Sequence, residues 1–210
     1  MQINVIMPVY LGDYPNAATN RKFKLVRAIQ SFLKQDYGDK KLIIVADGCL
    51  ETMNFVKNNF KNENIELNFV SKQPMFSGNV RNFGLTLSSS EIITYLDADD
   101  FYKKDNHLSV IVNAFNSNDK LNWVYFNDFI KYQSLDHLPL AERNADLTFG
   151  TTGTSNIAHK NLHDINWEGC DGYGHDFTFI QKMKKLHPDT YVKISGCSYV
   201  CCHIPNGCDN

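Results

Sequence analysis

Asp97, Asp99 and Asp100 place three carboxylates in the run Asp97-Ala98-Asp99-Asp100. Unless a cation lies among them, carboxylates this close repel one another and raise one another's pKa. The tetrad follows the apolar run Ile92-Ile93-Thr94-Tyr95-Leu96, which puts it at the exit of an expected buried strand. One reading is a solvated acidic turn that caps the next helix. Hard divalent cations, however, favour oxygen ligands, and Mg2+ is often held by one or two carboxylates plus substrate phosphate oxygens. The tetrad is therefore a candidate metal and diphosphate site.

The C-terminal fifth gathers Cys197, Cys201, Cys202 and Cys208 around His203, which raises the question of zinc. No Cys-x-x-Cys spacing occurs, and adjacent Cys201 and Cys202 would face opposite ways on a strand. Without a secretion signal at Met1-Gln2-Ile3-Asn4, the six cysteines read as reduced thiols, and the cytosol is the expected location. A formal net charge of -2 gives no support to a nucleic-acid or anionic-membrane surface as the main partner. The cluster Lys182, Lys184 and Lys185 reads as a solvated helix face. Hydrophobic residues at 43% and charged residues at 21% are those of an ordinary globular chain. Its 210 residues suffice for one domain with a real core, and no apolar run approaches a membrane span.

The elements that must position the tetrad alternate in a regular way. Residues 3–7 read as a strand stopped by Pro8, and Phe23, Val26, Ile29, Phe32 and Leu33 recur at helical spacing. Residues 42–46 form a second strand ending in the turn Asp47-Gly48. A helix marked by Phe55, Val56 and Phe60, a strand over 65–70 and a helix marked by Val80, Phe83 and Leu87 lead to the strand before the tetrad. A helix around Leu108 to Phe115 and a strand over 123–126 follow. Such alternation predicts a mostly parallel sheet with helices on both faces, and ligands bind at the carboxyl ends of its strands. Beyond about residue 130 the pattern fails. Residues 135–144 read as a loop and 150–154 as a plain polar segment that lacks a P-loop ending. A helix from Asp176 and strands over 191–194 and 197–200 close the chain.

Five segments then converge. Met7-Pro8-Val9-Tyr10, Val45-Ala46-Asp47-Gly48, Val80-Arg81-Asn82-Phe83-Gly84-Leu85, Leu96-Asp97-Ala98-Asp99-Asp100 and Gly174-His175-Asp176 together resemble family 2 glycosyltransferases of the GT-A fold. They keep that family's order and approximate spacing from residue 1 to about 180. The resemblance implies a single α/β domain with a Rossmann-like, mostly parallel central sheet and an irregular C-terminal acceptor part. Residues 1–128 would bind the nucleotide sugar, and 129–210 would bind the acceptor and supply the base.

By that resemblance Pro8, Val9 and Tyr10 floor the base pocket, Asp47 accepts a hydrogen bond from the base, and Arg81 touches base or diphosphate. Asp97 holds the ribose or shares the cation, Asp99 is the direct ligand of Mn2+ or Mg2+, and Asp100 caps the following helix. Asn82 and Gly84 shape the start of their helix and its close packing on the sheet. Asp176 is the catalytic base. The family more often has an acid where this chain has His175, which would touch acceptor or phosphate or replace Asp176 as base. His203 matches a late histidine that serves some members as a metal ligand. Trp167 and Tyr173 would stack on the acceptor's apolar sugar face, with core packing as the competing role.

The implied activity is inverting, metal-dependent transfer from a nucleotide sugar, a UDP-sugar above all, to the hydroxyl of a glycan, lipid-linked sugar, protein or small molecule. A nucleic-acid acceptor stays open, although the charge lends it nothing. An Asp-x-Asp phosphatase would want its aspartates after the first strand and a Thr or Val where this chain has Phe101. The non-enzymatic alternative is a nucleotide- or zinc-binding module.

Overall fold

The computed structural model of the chain describes residues 1–15, 17–73, 78–130, 140–170 and 172–202. It begins with three strand-helix units: β1 (Ile3–Val9), α1 (Arg21–Leu33), β2 (Lys40–Asp47), α2 (Leu50–Asn59), β3 (Ile65–Val70) and α3 (Gly78–Leu87). Then come β4 (Ile92–Tyr95), β5 (Phe101–Tyr102), α4 (His107–Ser117), β6 (Trp123–Phe126) and β7 (Asp128–Ile130). The rest contributes β8 (Ala141–Arg143), a 3-10 turn (Thr154–Asn156), β9 (Ile157–Lys160), α5 (His175–Leu186), β10 (Tyr191–Ile194) and β11 (Tyr199–Cys201).

Among the described residues seven strands form the central sheet in the order β10-β6-β9-β4-β1-β2-β3, and four form a smaller one in the order β5-β11-β7-β8. Every central pairing is parallel except the two made by β9. Helices cover both faces, which is why β1 and β2 are almost continuously apolar. Ile3, Val5 and Met7 belong to a core shared with α1, α2 and α4, whereas Ile6 belongs to the opposite core, shared with α5. Gly84 lets α3 approach β1: a Cβ there would lie 2.6 Å from Ile6 Cγ2. Among the described residues no helix is long and apolar enough to cross a membrane.

Pro8 does not stop β1 but continues it, opposite Val45 of β2. Leu96 N–H donates to Ile6 O at 3.1 Å, so the even-numbered residues of β1 turn their backbone groups toward β4. β4 pairs only as far as Ile6, and a missing N–H at Pro8 therefore breaks no ladder bond. Phe23 is half exposed, because the buried stripe of α1 runs through Leu25, Ala28, Ile29 and Phe32 instead. The expected loop over 135–144 contains β8, which pairs with β7; residues 135–139 lie outside the described set. The last expected strand is shifted to Tyr199–Cys201 and joins the smaller sheet.

Two buried details correct the chemistry assigned to residue types. Trp167 has no exposed surface: its ring stacks on Phe179 with centroids 3.9 Å apart, and its Nε1–H donates to Tyr95 Oη at 3.0 Å. It is a core residue and cannot stack on an acceptor. Cys49, Cys170, Cys197 and Cys201 are in no disulfide, as expected, but Cys202 is disulfide-bonded, so the reduced state does not hold for every cysteine. Burial pushes the Cys197 and Cys201 thiols well above the usual range. Among the described residues no group of three His, Cys, Asp or Glu could hold a metal ion, and His203 and Cys208 lie outside them.

Two predictions concern this packing. Trp167→Ala removes a fully buried indole and is expected to lower unfolding stability by about 3–5 kcal/mol, read from denaturant titration. His107 and His159 are both fully buried, and burial holds their pKa values down to about 3 and about 4. An unfolded histidine binds its proton near pH 6.5. The unfolded chain therefore takes up protons that the folded chain refuses as pH falls from about 6.5 to 4, and stability is lost over that window. Each ring contributes a slope of about 1.4 kcal/mol per pH unit. Thermal unfolding from pH 7 to pH 4 measures the slope, which His159→Gln is expected to reduce by about half.

Candidate active site

The strands β1, β2 and β4 end side by side, and the segments that leave them carry the candidate residues. The tetrad is held in place by Tyr199 of β11. Its hydroxyl accepts Asp97 N–H at 3.0 Å and donates to Asp100 at 2.7 Å, while Cys202 N–H donates to the other Asp100 oxygen at 2.7 Å. Asp100 is buried, and burial followed by the charges of Asp99 and Asp97 raises its pKa well above the usual carboxylate range. Its role is to anchor the turn to β11. It does not cap the next helix, because β5 follows it and α4 starts only at His107 with Asn106 as its N-cap.

Arg81 on α3 is almost wholly buried and donates from Nη2 to Asp97 Oδ1 at 2.6 Å. Its Nη1 lies 3.1 Å from His175 Nε2, and its guanidinium sits 5.4 Å from the Trp167 ring centre. Asn82 does not shape the start of α3; its side-chain oxygen accepts Trp167 N–H at 3.0 Å, tying α3 to that loop. Arg27 of α1 braces the tetrad from the other side, donating to the Asp99 carbonyl at 2.6 Å.

Two cavities meet at this turn. One, of about 440 Å3, is lined by Pro8, Val9, Tyr10, Asp47 and Arg81 as well as by Asp97 and Asp99. The residues expected to form a base pocket are thus brought together. Asp47 is already engaged, accepting Gln73 N–H at 2.7 Å and the Lys72 ammonium at 2.5 Å. Lys72 also lies 4.5 Å from the Tyr10 ring centre, which places a cation over the cavity floor. Gly48 makes that approach possible: its φ is +64°, and a Cβ there would lie 2.6 Å from Lys72 Cα.

The second cavity, of about 500 Å3, shares Asp97 and Asp99 with the first and adds Asp176, His175, Tyr173 and the segment from Gly150 to Ser155. Asp176 stands in the first turn of α5 behind Gly174, whose φ is +81°. Its Oδ2 accepts Thr154 N–H at 3.4 Å, and its Oδ1 lies 2.7 Å from His175 Nε2, a contact that becomes ionic when the ring is protonated. Burial would push this carboxyl up, but contact with His175 and the charge of Arg81 outweigh it and bring the pKa down to about 2. Gly153 packs against the carboxylate, since a Cβ there would lie 3.0 Å from Asp176 Oδ2.

Of the expected acceptor residues, His175 and Tyr173 line this cavity, Tyr173 being 84% exposed, while Trp167 lies in the core. His203 falls outside the described residues. The sequence missed Lys72, Arg143, Phe149 and the 150–155 segment, all of which line or approach the two cavities. Only residues 150–154 carry a signal, their glycines and threonines, which by itself reads as a plain polar segment.

A model of the family "Glycosyl transferase family 2" matches residues 16–186. An uncharacterized glycosyltransferase of Haemophilus influenzae is 32% identical over 105 residues, which are 49% of this chain and 38% of that protein. TarS 1-349 of S. aureus, solved in complex with UDP, superposes on 96% of this chain and 60% of its own with a TM-score of 0.67 at 15% identity. The mannosyltransferase PcManGT of Pyrobaculum calidifontis, solved with GDP-Man and Mn2+, covers 95% of this chain and 56% of its own with a TM-score of 0.59 at 15% identity. The chain thus spans well under two thirds of the length of these proteins, and their architecture confirms a GT-A arrangement of sheet and helices. With most of its length matched by the family model, the chain belongs to glycosyl transferase family 2.

Proposed function

We propose that the chain transfers a sugar from a UDP-sugar to an acceptor hydroxyl, with inversion at the anomeric carbon and with the help of a divalent cation. The observation that carries this reading is the shared wall: Asp97 and Asp99 face both cavities, and Asp176 lines the second. A nucleotide in the first cavity would leave its sugar at the junction, within reach of a base on the acceptor side. A cytosolic site of action belongs to the same reading.

Pro8, Val9 and Tyr10 line the base pocket. Asp47 reads the base once Lys72 yields or shares its contact, and the ammonium of Lys72 is then available to the donor. Arg81, oriented by Asp97, faces the diphosphate. Asp99, with Asp97, would hold Mn2+ or Mg2+, since a hard cation needs only one or two protein carboxylates when diphosphate oxygens complete its shell. When bound, such a cation offsets charge on the departing nucleoside diphosphate. PcManGT was solved with Mn2+ and GDP-Man, and TarS with UDP and with UDP-GlcNAc, which supports a cation and a nucleotide donor here.

In the transfer itself, the acceptor oxygen bonds to the anomeric carbon on the face opposite the diphosphate, the bond from that carbon to the phosphate oxygen breaks, and Asp176 receives the hydroxyl proton. A carboxylate with a pKa of about 2 does not deprotonate a resting alcohol. It takes the proton late, as the new bond forms and the oxygen turns strongly acidic. Thr154 N–H and Gly153 hold the carboxylate in place for that step.

Two measurements test this reading. Asp176→Asn is expected to lower turnover by 100-fold or more, and Asp99→Ala to weaken Mn2+-dependent UDP binding at least tenfold, with thermal unfolding of both variants close to wild type. Full activity in both variants would sink the assignment. Because a base must be ionised to act, the acid limb set by Asp176 lies below about pH 4. Activity lost between pH 6.5 and 4 is expected to follow the unfolding caused by His107 and His159, and initial-rate profiles recorded beside thermal melts check this.

A further inference from the structure

Asp128 of β7 has no exposed side-chain surface. Directly opposite it in the antiparallel pair stands Arg143 of β8. The guanidinium grips the carboxylate along one edge: Nε donates to Oδ1 at 2.8 Å and Nη2 donates to Oδ2. Ser155 Oγ–H donates to the same Oδ2 at 2.9 Å, and Cys201 Sγ–H does so at 3.2 Å. Nη2 also approaches Ser155 Oγ at 3.4 Å and Asn156 Oδ1 at 3.5 Å. A buried ion pair seldom adds net stability, because desolvation offsets the attraction. What this one supplies is orientation, with the rear edge of the guanidinium fixed by four side chains.

The front edge is different. Arg143 Nη1 hydrogen-bonds to no described residue, and Arg143 lines the 500 Å3 cavity together with Asp99 and Asp176. Two N–H groups on a fork already held in place lose little freedom when they take a ligand. A cationic donor group already fixed in direction suits an oxyanion better than any neutral acceptor. Arg81 is already engaged with Asp97 and His175.

We propose that Arg143 reads an anionic group on the acceptor, so that the molecule glycosylated carries a phosphate or carboxylate within reach of its reacting hydroxyl. The proposal rests on the glycosyltransferase reading and narrows it. Asp97, Asp99 and Asp176 line the same cavity, so a charged acceptor fits only when its anion falls on Arg143. The guanidinium thereby fixes the register of the acceptor, turning one hydroxyl toward Asp176.

The test uses wild-type protein saturated with UDP and Mn2+ and titrated calorimetrically with two matched pairs: glucose 6-phosphate against glucose, and methyl glucuronide against methyl glucoside. At least one charged ligand is expected to bind tenfold or more tightly than its neutral match, and which pair responds separates phosphate from carboxylate. The paired variant D128N/R143Q removes both charges together and is expected to cut that preference to threefold or less, with UDP affinity within threefold of wild type. Arg143→Lys keeps the charge but not the fork and is expected to lose at least fivefold, which decides the matter should the pair fail to fold. No preference in wild type, or a preference that survives both variants, overturns the proposal. So does a tenfold loss of UDP affinity with the preference intact, which would assign Arg143 to the donor diphosphate. Wild type that binds no UDP would count against the glycosyltransferase reading alone, and the four titrations on nucleotide-free protein would still decide the role of Arg143.

Discussion

Four carboxylates converge where β4 ends and α5 begins, and the surrounding structure is arranged to hold them there. Each is offset differently. Asp97 receives the guanidinium of Arg81 at 2.6 Å. Asp100 is buried, and burial with the charges of Asp99 and Asp97 raises its proton affinity, against the hydrogen bonds it accepts from Tyr199 and the Cys202 backbone. Asp176 lies against His175 and within the field of Arg81. Asp99 faces both cavities. Arg81 is the common member, since it touches Asp97 through one nitrogen and His175 through another. Any change in its charge or position is felt on both sides of the junction.

The same accounting explains which features were legible in the sequence. β3, β6 and β10 were readable to the residue, and β1, β2 and β4 nearly so, the last three because strands covered on both faces are written as apolar runs. β9 was not, since Ile157-Ala158-His159-Lys160 has too short an apolar stretch to show a period; its place is set by partners in β4 and β6. β8, Ala141-Glu142-Arg143, is a polar edge strand whose register exists only because β7 lies beside it.

Within the candidate site, the convergence of Asp97, Arg81 and Asp176 on the two cavities was legible because their residue types and order follow the family's motifs. Trp167 shows the limit of residue type. Tyr173, six residues on, is 84% exposed, while Trp167 is completely buried, and the difference comes from Tyr95 and Phe179, which are distant in sequence. Arg143 was invisible for a related reason: its orientation depends on a carboxylate fifteen positions earlier that only strand pairing brings opposite.

The antiparallel insertion of β9 also governs how the chain reaches its native state during synthesis. Among the described residues β6 is linked to β4 through β9, which is the outer neighbour of β4. When residues 92–126 have left the ribosome, β4 and β6 are both complete, yet neither can pair with the other. The edge of β4 stays unpaired until residue 160 has emerged, and unpaired edges invite association with other chains. The sheet that carries the acidic turn therefore closes late, and the turn from Thr154 to Asn156 that leads into β9 arrives with the strand that closes it. The acidic turn and the 154–156 segment, which line the same cavity, are thus brought together when β9 inserts.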